Sequence, residues 1–423
     1  MKKEHKITFI ISAAVATILL TTLLTYLLVK NLKKEETDKP PVTNTERPLT
    51  TKNNISATSY PVVDTNQQYC YNKSSQIPCP DKNESFYGQD AQYSENTPSY
   101  TDNGNGTITD NVTGLMWQQD PGEKVYYSEA VSGADSLNLG GHTDWRLPTI
   151  KELYSLMDFS GDDLDANSTD TSNAKPFINT DYFKFKYGNP ADGDRVIDSQ
   201  WATSNVYEST VMNNQECFFG VNFADGRIKC YPTGNIKKYF VIYVRGASYG
   251  VNECESTSAN TITDNATGLM WTKDDNSEGI IWEDALNYCS NLSLDGYNDW
   301  RLPDAKELQS IVDYSRSPDS TNSAAIDPIF DISTIKNELG NNDYPFFWSS
   351  TTHTNSGIGS RAAYIAFGES PGRMNGNWMD VHGAGAQRSD PKAGNPDNFS
   401  SGKGPQGDAI RIYNFVRCVR SGI

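Results

Sequence analysis

Residues Thr107–Trp117 read TITDNVTGLMW, and residues Thr261–Trp271 read TITDNATGLMW. The pentapeptide DWRLP follows in both places, at Asp144–Pro148 and at Asp299–Pro303. The offset between the two occurrences changes only from 154 to 155 residues over this distance. Self-similarity at a fixed spacing is typical of a chain that repeats one structural unit. The sequence therefore contains two copies of one module.

Both copies carry the same pattern of predicted secondary structure. The two halves of each undecapeptide predict short strands, because an Asp-Asn turn separates two runs rich in β-formers. A helix follows, and the DWRLP segment is extended because its Arg-Leu pair precedes proline. A second helix begins at a capping box, Thr149 with Glu152 in the first copy and Asp304 with Glu307 in the second. Strands dominate the remainder, so we predict a compact α+β fold for each copy.

An uncharged apolar run, Ile7–Val29, lies near the N-terminus. Its 23 residues span roughly 35 Å as a helix, which is enough to cross a bilayer. A cleaved signal peptide is the alternative, but no small-residue cleavage site follows the run. We therefore predict a single-pass protein of the cell membrane with a periplasmic or extracellular ectodomain. The predicted boundaries are a cytoplasmic tail at 1–6, a transmembrane signal anchor at 7–29, a disordered stalk at 30–95, copy one at 96–246 and copy two at 247–423.

The formal net charge of the chain is −17. Nucleic acid and anionic lipid surfaces are bound by basic proteins, so this balance argues against both as partners of the ectodomain. The hydrophobic fraction of 36% and the aromatic fraction of 11% are sufficient for packed cores. We expect the membrane to be contacted only through the N-terminal helix.

Three motifs resemble a known bacterial family. TGLMW, WRLPT followed two residues later by Glu-Leu, and the closing VRCVR at 416–420 are similar, in this order, to the Lcl C-terminal domain, formerly DUF1566. The namesake module lies at the C-terminus of the Legionella collagen-like adhesin. The resemblance covers 96–246 and 247–423, which is most of the predicted ectodomain. It implies a C-type-lectin-like fold and carbohydrate binding in adhesion.

The repeat itself predicts one disulfide bond. Cys289 lies on the first predicted helix of copy two and Cys418 on its last strand. Their counterparts in copy one are Ala134 and Tyr243, so both cysteines are absent together. Joint absence is the behaviour of a bonded pair, and an exported chain favours disulfides. We therefore predict the bond Cys289–Cys418.

Two further disulfides follow from local spacing. Cys217 and Cys230 flank a segment with an Ala-Asp-Gly centre that suits a hairpin turn, so a cross-strand pair is expected. Cys70 and Cys79 are near neighbours in the sequence. Cys254 is left over, and it could displace one of these cysteines or pair between chains.

The repeated Trp-Arg of DWRLP has two interpretations, a binding pair or a structural pair. Each arginine precedes the glutamate of a capping box by six residues, and an Arg–Glu fork fixes local geometry well. We therefore predict structural roles for the members of both motifs. These residues are Trp145, Arg146 and Glu152 in copy one, and Trp300, Arg301 and Glu307 in copy two.

The segment 102–108 resembles the middle of a calcium-binding EF-hand loop. The first ligand position is Thr101 and the twelfth is Val112, so the bidentate glutamate is missing. A tight turn is the simpler interpretation. We predict no metal ligands and no cofactor, with calcium as the alternative.

Copy two is longer than copy one in its second half. Trp201 to Arg245 covers 44 residues in copy one, whereas Trp348 to Arg420 covers 72. The extra residues fall in a Gly- and Asn-rich stretch at 375–408, and long loops are commonly functional. Residues 373–411 carry a local charge of +1, which suits an anionic ligand. The candidate ligand-binding residues are Trp378, Asp380, His382, Gln387 and Arg388.

Catalysis is not expected from this sequence. The chain has four histidines, and none stands in a recognisable motif with a cysteine, as a nucleophilic site would need. We therefore predict a binding protein that is not an enzyme, with a glycan as the expected ligand. The alternative is an envelope scaffold that binds an envelope or host surface protein through the same loop. The oligomeric state stays open.

Overall fold

The computed structural model describes residues 59–172 and 174–421 of the chain. The predicted transmembrane helix at 7–29, the tail at 1–6 and the first part of the predicted stalk lie outside these residues. Within the described ranges, no helix is long and apolar enough to cross a membrane. The described residues belong to one compact unit, 57–423.

The N-terminal segment and copy one contain short strands and two α-helices. The strands are β1 Cys70–Tyr71, β2 Gln76–Ile77, β3 Tyr100–Asp102, β4 Thr107–Asp110, β5 Met116–Gln118, β6 Val125–Tyr126, β7 Gln200–Trp201, β8 Cys217–Asn222, β9 Arg227–Pro232, β10 Lys238–Tyr239 and β11 Val244–Arg245. The α-helices are α1 Tyr127–Gly133 and α2 Ile150–Ser155. Short 3-10 helices cover Asp90–Gln92, Ala134–Ser136 and Pro190–Asp192.

Copy two has longer strands in its second half. Its strands are β12 Cys254–Ser256, β13 Thr261–Asp264, β14 Leu269–Thr272, β15 Ile335–Lys336, β16 Asn342–Asp343, β17 Phe346–Asn355, β18 Ile358–Ala366, β19 Pro371–Met374, β20 Asn377–Asp380, β21 Gln387–Pro391 and β22 Val419–Ser421. Its α-helices are α3 Trp282–Ser290, α4 Ala305–Ser310 and α5 Pro318–Thr321, and a 3-10 helix covers Pro396–Phe399.

The repeated undecapeptide forms the same hairpin in both copies, β4–β5 and β13–β14. Ile108 pairs with Trp117 and Ile262 with Trp271, and all four side chains are fully buried. At the turn, the carboxylate of Asp110 accepts the backbone N–H two residues later at 2.9 Å. Such an Asx contact replaces a backbone hydrogen bond and fixes the turn. The structure therefore contains the predicted hairpin twice.

The last strand of each copy returns to the first hairpin. Val244 of β11 pairs with Trp117, and Val419 of β22 pairs with Trp271. The resulting four-stranded sheets have the orders β11-β5-β4-β3 and β12-β13-β14-β22. The mixed architecture of helices and sheets is confirmed, with sheets predominating and short helices.

A single six-stranded sheet joins the two copies. Its order is β17-β18-β21-β9-β8-β7, so three strands come from each copy. The copies meet where Gln387 of β21 pairs with Ile228 of β9. The same large core holds side chains of both, for example Phe219 and Tyr314, whose ring centroids are 4.8 Å apart. The tandem modules are therefore two copies within one folded unit.

Two helices make a reciprocal contact across the copies. Lys151 of α2 donates from Nζ to the carbonyl of Ser310 at 2.6 Å, and Lys306 of α4 donates to the carbonyl of Ser155 at 2.8 Å. The four residues are related by the 155-residue offset of the repeat. A contact in which each partner makes the same bond to the other is the pattern of an isologous dimer. The copies are thus packed as such a dimer is, within one chain.

The predicted stalk at 30–95 is wrong for residues 60–95, which are folded. The side chain of Tyr60 is buried, and its N–H donates to the carbonyl of Ala266 at 2.8 Å. Gln67 bonds both backbone groups of Thr352, at 2.6 and 2.8 Å. Asp90 is buried and accepts from the hydroxyl of Thr351 at 2.5 Å. This segment is ordered because its polar groups bond buried polar groups of the modules, and such bonds leave little hydrophobic signal in a sequence.

Candidate ligand site

The long stretch at 375–408 is not the structureless loop that its composition predicts. It contains β20 and β21, and β21 is a central strand between β18 and β9. Gln387 and Arg388 are therefore buried strand residues instead of exposed loop residues. Trp378 lies half-buried on β20, where it pairs with Arg373 of β19. Gln387 and Arg388 are buried because β21 hydrogen-bonds to β18 on one side and to β9 on the other, and so joins β18 to the other copy.

The remaining candidates of this stretch are also internal. The carboxylate of Asp380 accepts the N–H of Gly383 at 3.0 Å, and burial raises the pKa of Asp380 to about 6. His382 contacts Asp408 through Nε2 at 2.8 Å, while burial lowers the pKa of the His382 imidazole to about 4. His382 is therefore neutral at pH 7. Neither side chain is placed as an exposed sugar-binding group.

A cavity of about 510 Å³ lies where β9, β18 and β21 meet the segments 163–167 and 403–410. We call it the sheet pocket. Both copies contribute to its wall, copy one through β9 and copy two through β18 and β21. Of the five predicted ligand-binding residues, only Arg388 lines it. The charged residues of its lining are Arg195, Arg227, Lys229, Arg361, Arg388, Lys403, Asp163, Asp165, Asp225 and Asp408.

Ion pairs organise the floor of the sheet pocket. Arg227 is 2.8 Å from Asp163, and Lys229 is 2.7 Å from Asp225. Burial lowers the pKa of Lys229 to about 8, and the neighbouring Asp225 opposes this shift. Arg388 donates from Nη2 to Asp408, the carboxylate that also contacts His382. Buried ion pairs of this kind hold their members in fixed positions.

Most of this lining is not predicted by the sequence, although one signal is present. The segment RIKC at 227–230 places two cations in alternate positions of a strand. Alternate residues of a strand lie on the same side of the sheet, so the two cations share a surface. The contribution of Arg361 and Lys403 from copy two could not be foreseen, because it depends on the contact between the copies.

The repeated Trp-Arg motifs are structural, as the spacing predicts. Arg146 donates to both carboxylate oxygens of Glu152, at 2.6 and 2.5 Å. Arg301 makes the same fork with its capping glutamate, with both distances 2.5 Å. The indoles of Trp145 and Trp300 are buried. These residues stabilise the turn before the second helix of each copy, and the Arg146 side chain is the more exposed of the two arginines.

All three predicted disulfides are present, namely Cys70–Cys79, Cys217–Cys230 and Cys289–Cys418. Cys254 lies on β12 as a free thiol. Burial raises the pKa of that thiol to about 12, so it is protonated at pH 7. A protonated thiol is a poor nucleophile.

The segment that resembles a calcium loop is held as a turn by its own side chains. Asp102 accepts the N–H of Gly104 at 2.8 Å, and Thr107 donates its hydroxyl to Asn105 at 2.7 Å. Across the described part of the chain, no group of three or more His, Cys, Asp or Glu residues is arranged to hold a metal ion. That observation leaves the prediction of no metal as a prediction.

The comparisons with known proteins give one family. The family model described as the Lcl C-terminal domain matches residues 106–245 and 260–382, more than half of the chain. The second match ends before β21, so Arg388 and segment 403–410 lie beyond it. The comparison with curated proteins gives no match, and neither does the comparison with solved structures. The C-type-lectin-like fold implied by the resemblance therefore stays a prediction.

Proposed function

The chain belongs to the Lcl C-terminal domain family, and from that premise we propose that it is an extracytoplasmic binding protein that takes a glycan into the sheet pocket. The family points to an extracellular module of the adhesin type. We further propose that the ligand is a glycan, that it binds in the sheet pocket, and that residues 7–29 anchor the chain in the cell membrane. The proposal includes no catalytic step.

The observation that carries the proposal is the sheet pocket itself. Its volume of about 510 Å³ falls within the range of small-ligand sites, roughly 300–1,000 Å³. Its wall combines Tyr364 and Ile410 with many polar groups. A sugar presents hydroxyl groups around an apolar ring face, so it requires this mixture of polar and apolar contacts. The ion pairs on the floor keep the polar groups in place before a ligand arrives.

Because both copies form its wall, the sheet pocket determines how many ligands one chain binds. The two copies contribute different segments to the sheet pocket, β9 from copy one and β18 and β21 from copy two, so the copies together form one such pocket. The proposal therefore requires one ligand per chain, although a tandem repeat suggests two. Avidity would then have to come from several chains on one surface.

The test is a glycan array probed with the purified full-length chain, with and without a calcium chelator. Asn167 is an exposed residue of the pocket wall, and Asn167→Trp would obstruct the cavity. Asn235→Trp is the matched control, since Asn235 is an exposed loop residue of copy one that does not line the pocket. We expect defined glycan hits that disappear with Asn167→Trp and persist with Asn235→Trp.

Two results would contradict the proposal. Hits that survive Asn167→Trp would place the glycan elsewhere on the protein, and Trp378→Ala would then test the originally predicted surface. A folded chain that binds no glycan would favour the scaffold alternative, in which the ligand is an envelope or host surface protein.

A further inference from the structure

Cations exceed carboxylates on the floor of the sheet pocket. Five basic side chains reach it, from β9, β18, β21 and segment 403–410, and they are Arg227, Lys229, Arg361, Arg388 and Lys403. Three carboxylates are paired with them, and they are Asp163, Asp225 and Asp408. Asp165 also lines the pocket, and Arg195 of the wall is paired with Asp198, so five cations face four carboxylates. The local excess is one positive charge inside a chain whose net charge is −17. Buried charge of one sign is costly unless an opposite charge joins it.

The guanidinium of Arg388 has unused donors. Its side chain is 9% exposed, and one nitrogen, Nη2, donates to Asp408. Its Nε and Nη1 are buried without a hydrogen-bond partner among the residues that the structure describes. A buried donor without an acceptor costs about 1–3 kcal/mol, and more when the group is charged. Arg388 lines the cavity, so an acceptor that enters the pocket can satisfy these donors.

Two further cations are without a carboxylate partner. Arg361 donates to the carbonyl of Ser389 at 3.0 Å, and neither it nor Lys403 forms an ion pair within the described ranges. The guanidinium of Arg361 lowers the pKa of Lys403, and burial followed by the charge of Arg227 lowers the pKa of Arg361. These shifts mean that the cations repel one another. An anion between them would reverse that repulsion.

The structure assigns to the sheet pocket an oxyanion subsite, in which Arg361, Arg388 and Lys403 receive one carboxylate, sulfate or phosphate group of an otherwise uncharged ligand. This inference rests on the proposed function and narrows its ligand class to singly or doubly charged glycans. Planar guanidinium groups suit oxyanions because they present several N–H donors in fixed directions. A polyanion is a poorer fit, because the strongly acidic remainder of the chain repels it at long range.

The experiment is isothermal titration of the full-length chain in a chloride buffer. The probes are sodium glucuronate, inorganic sulfate and inorganic phosphate, with glucose as the neutral counterpart of glucuronate. Lys403→Gln and Arg361→Gln each remove one charge from the subsite, and Lys403 is exposed, so that variant should fold normally. The control is Lys336→Gln, which removes the same charge from an exposed residue of β15 outside the pocket.

We expect at least one oxyanion probe to bind, and glucose to bind more weakly than glucuronate. Each subsite variant should weaken binding about tenfold, the loss that follows one charge-assisted contact, whereas Lys336→Gln should leave it unchanged. The identity of the best probe distinguishes carboxylate from sulfate and phosphate.

The inference is overturned if no oxyanion probe binds, or if Lys403→Gln and Arg361→Gln bind as the unaltered chain does. A sulfated polymer is titrated as a further probe, and the inference is equally overturned if that polymer binds far better than every single-anion probe and does so independently of both variants. If neutral glycans bind and are lost with Asn167→Trp while no oxyanion binds, the proposed function stands and only the subsite falls.

Discussion

Removal of the disulfide Cys289–Cys418 should destabilise the chain more than removal of Cys70–Cys79. The first bond links residues 129 apart and the second residues 9 apart. A cross-link restricts the unfolded chain in proportion to the logarithm of the loop length, which gives about 5 kcal/mol for the long loop and about 2.6 kcal/mol for the short one. This bond also connects α3 of copy two to Cys418, the residue just before β22. The expected difference is therefore about 2 kcal/mol.

The assay compares the double variant Cys289→Ala/Cys418→Ala with Cys70→Ala/Cys79→Ala. Urea unfolding followed by tryptophan fluorescence gives the midpoint and the slope for each protein, and the free energy follows by linear extrapolation. At the position of copy one that is equivalent to Cys289 the residue is alanine, so α3 should accept alanine there. A first double variant that loses no more stability than the second would contradict this expectation.

Four other substitutions have directions fixed by the structure. Arg301→Met should cost about 3–5 kcal/mol of unfolding free energy, because it leaves the buried Glu307 unpaired. Arg146→Met leaves the buried Glu152 unpaired as well, but it should cost less because the Arg146 side chain is 36% exposed and water can take its place; urea midpoints compare the two variants. Burial raises the pKa of Glu369 to about 8, above its unfolded value, so its contribution to stability is complete at low pH and is lost as the pH rises toward 8. Glu369→Gln should therefore gain stability relative to the unaltered chain between pH 5 and 8, and parallel pH profiles would contradict this. Gln67→Ala should cost about 1–3 kcal/mol and accelerate hydrogen exchange at the Thr352 amide, and unchanged protection there would contradict the account of the N-terminal segment.

The parts of the fold that the sequence predicts are those with a local physical cause. The hairpins follow from the Asp-Asn turns between β-formers, and the Arg–Glu forks follow from the spacing of the capping boxes. The disulfide Cys289–Cys418 follows from a comparison of the two copies, in which both cysteines are missing together from copy one. The hairpins, the Arg–Glu forks and this disulfide are each formed by residues of a single copy.

The parts that the sequence does not predict depend on contacts between distant segments. β21 reads QRSDP, which has neither the alternation nor the β-branched residues of a strand, and it is a strand because β18 and β9 lie on either side of it. Residues 60–95 are predicted as disordered for a similar reason. They are ordered by side-chain hydrogen bonds to distant residues of the modules, and the local sequence does not show these partners. The sheet pocket is formed by segments of both copies, so its lining cannot be read from one segment of the sequence. For this reason only one of the five predicted ligand-binding residues, Arg388, lines it.

We propose that the two copies together form one ligand site per chain. Isothermal titration of the full-length chain with a glycan identified on the array measures this directly through its stoichiometry. We expect one equivalent of glycan per chain, with no binding to Asn167→Trp and unchanged binding to Asn235→Trp. Two equivalents per chain, or one equivalent that is insensitive to Asn167→Trp, would contradict it.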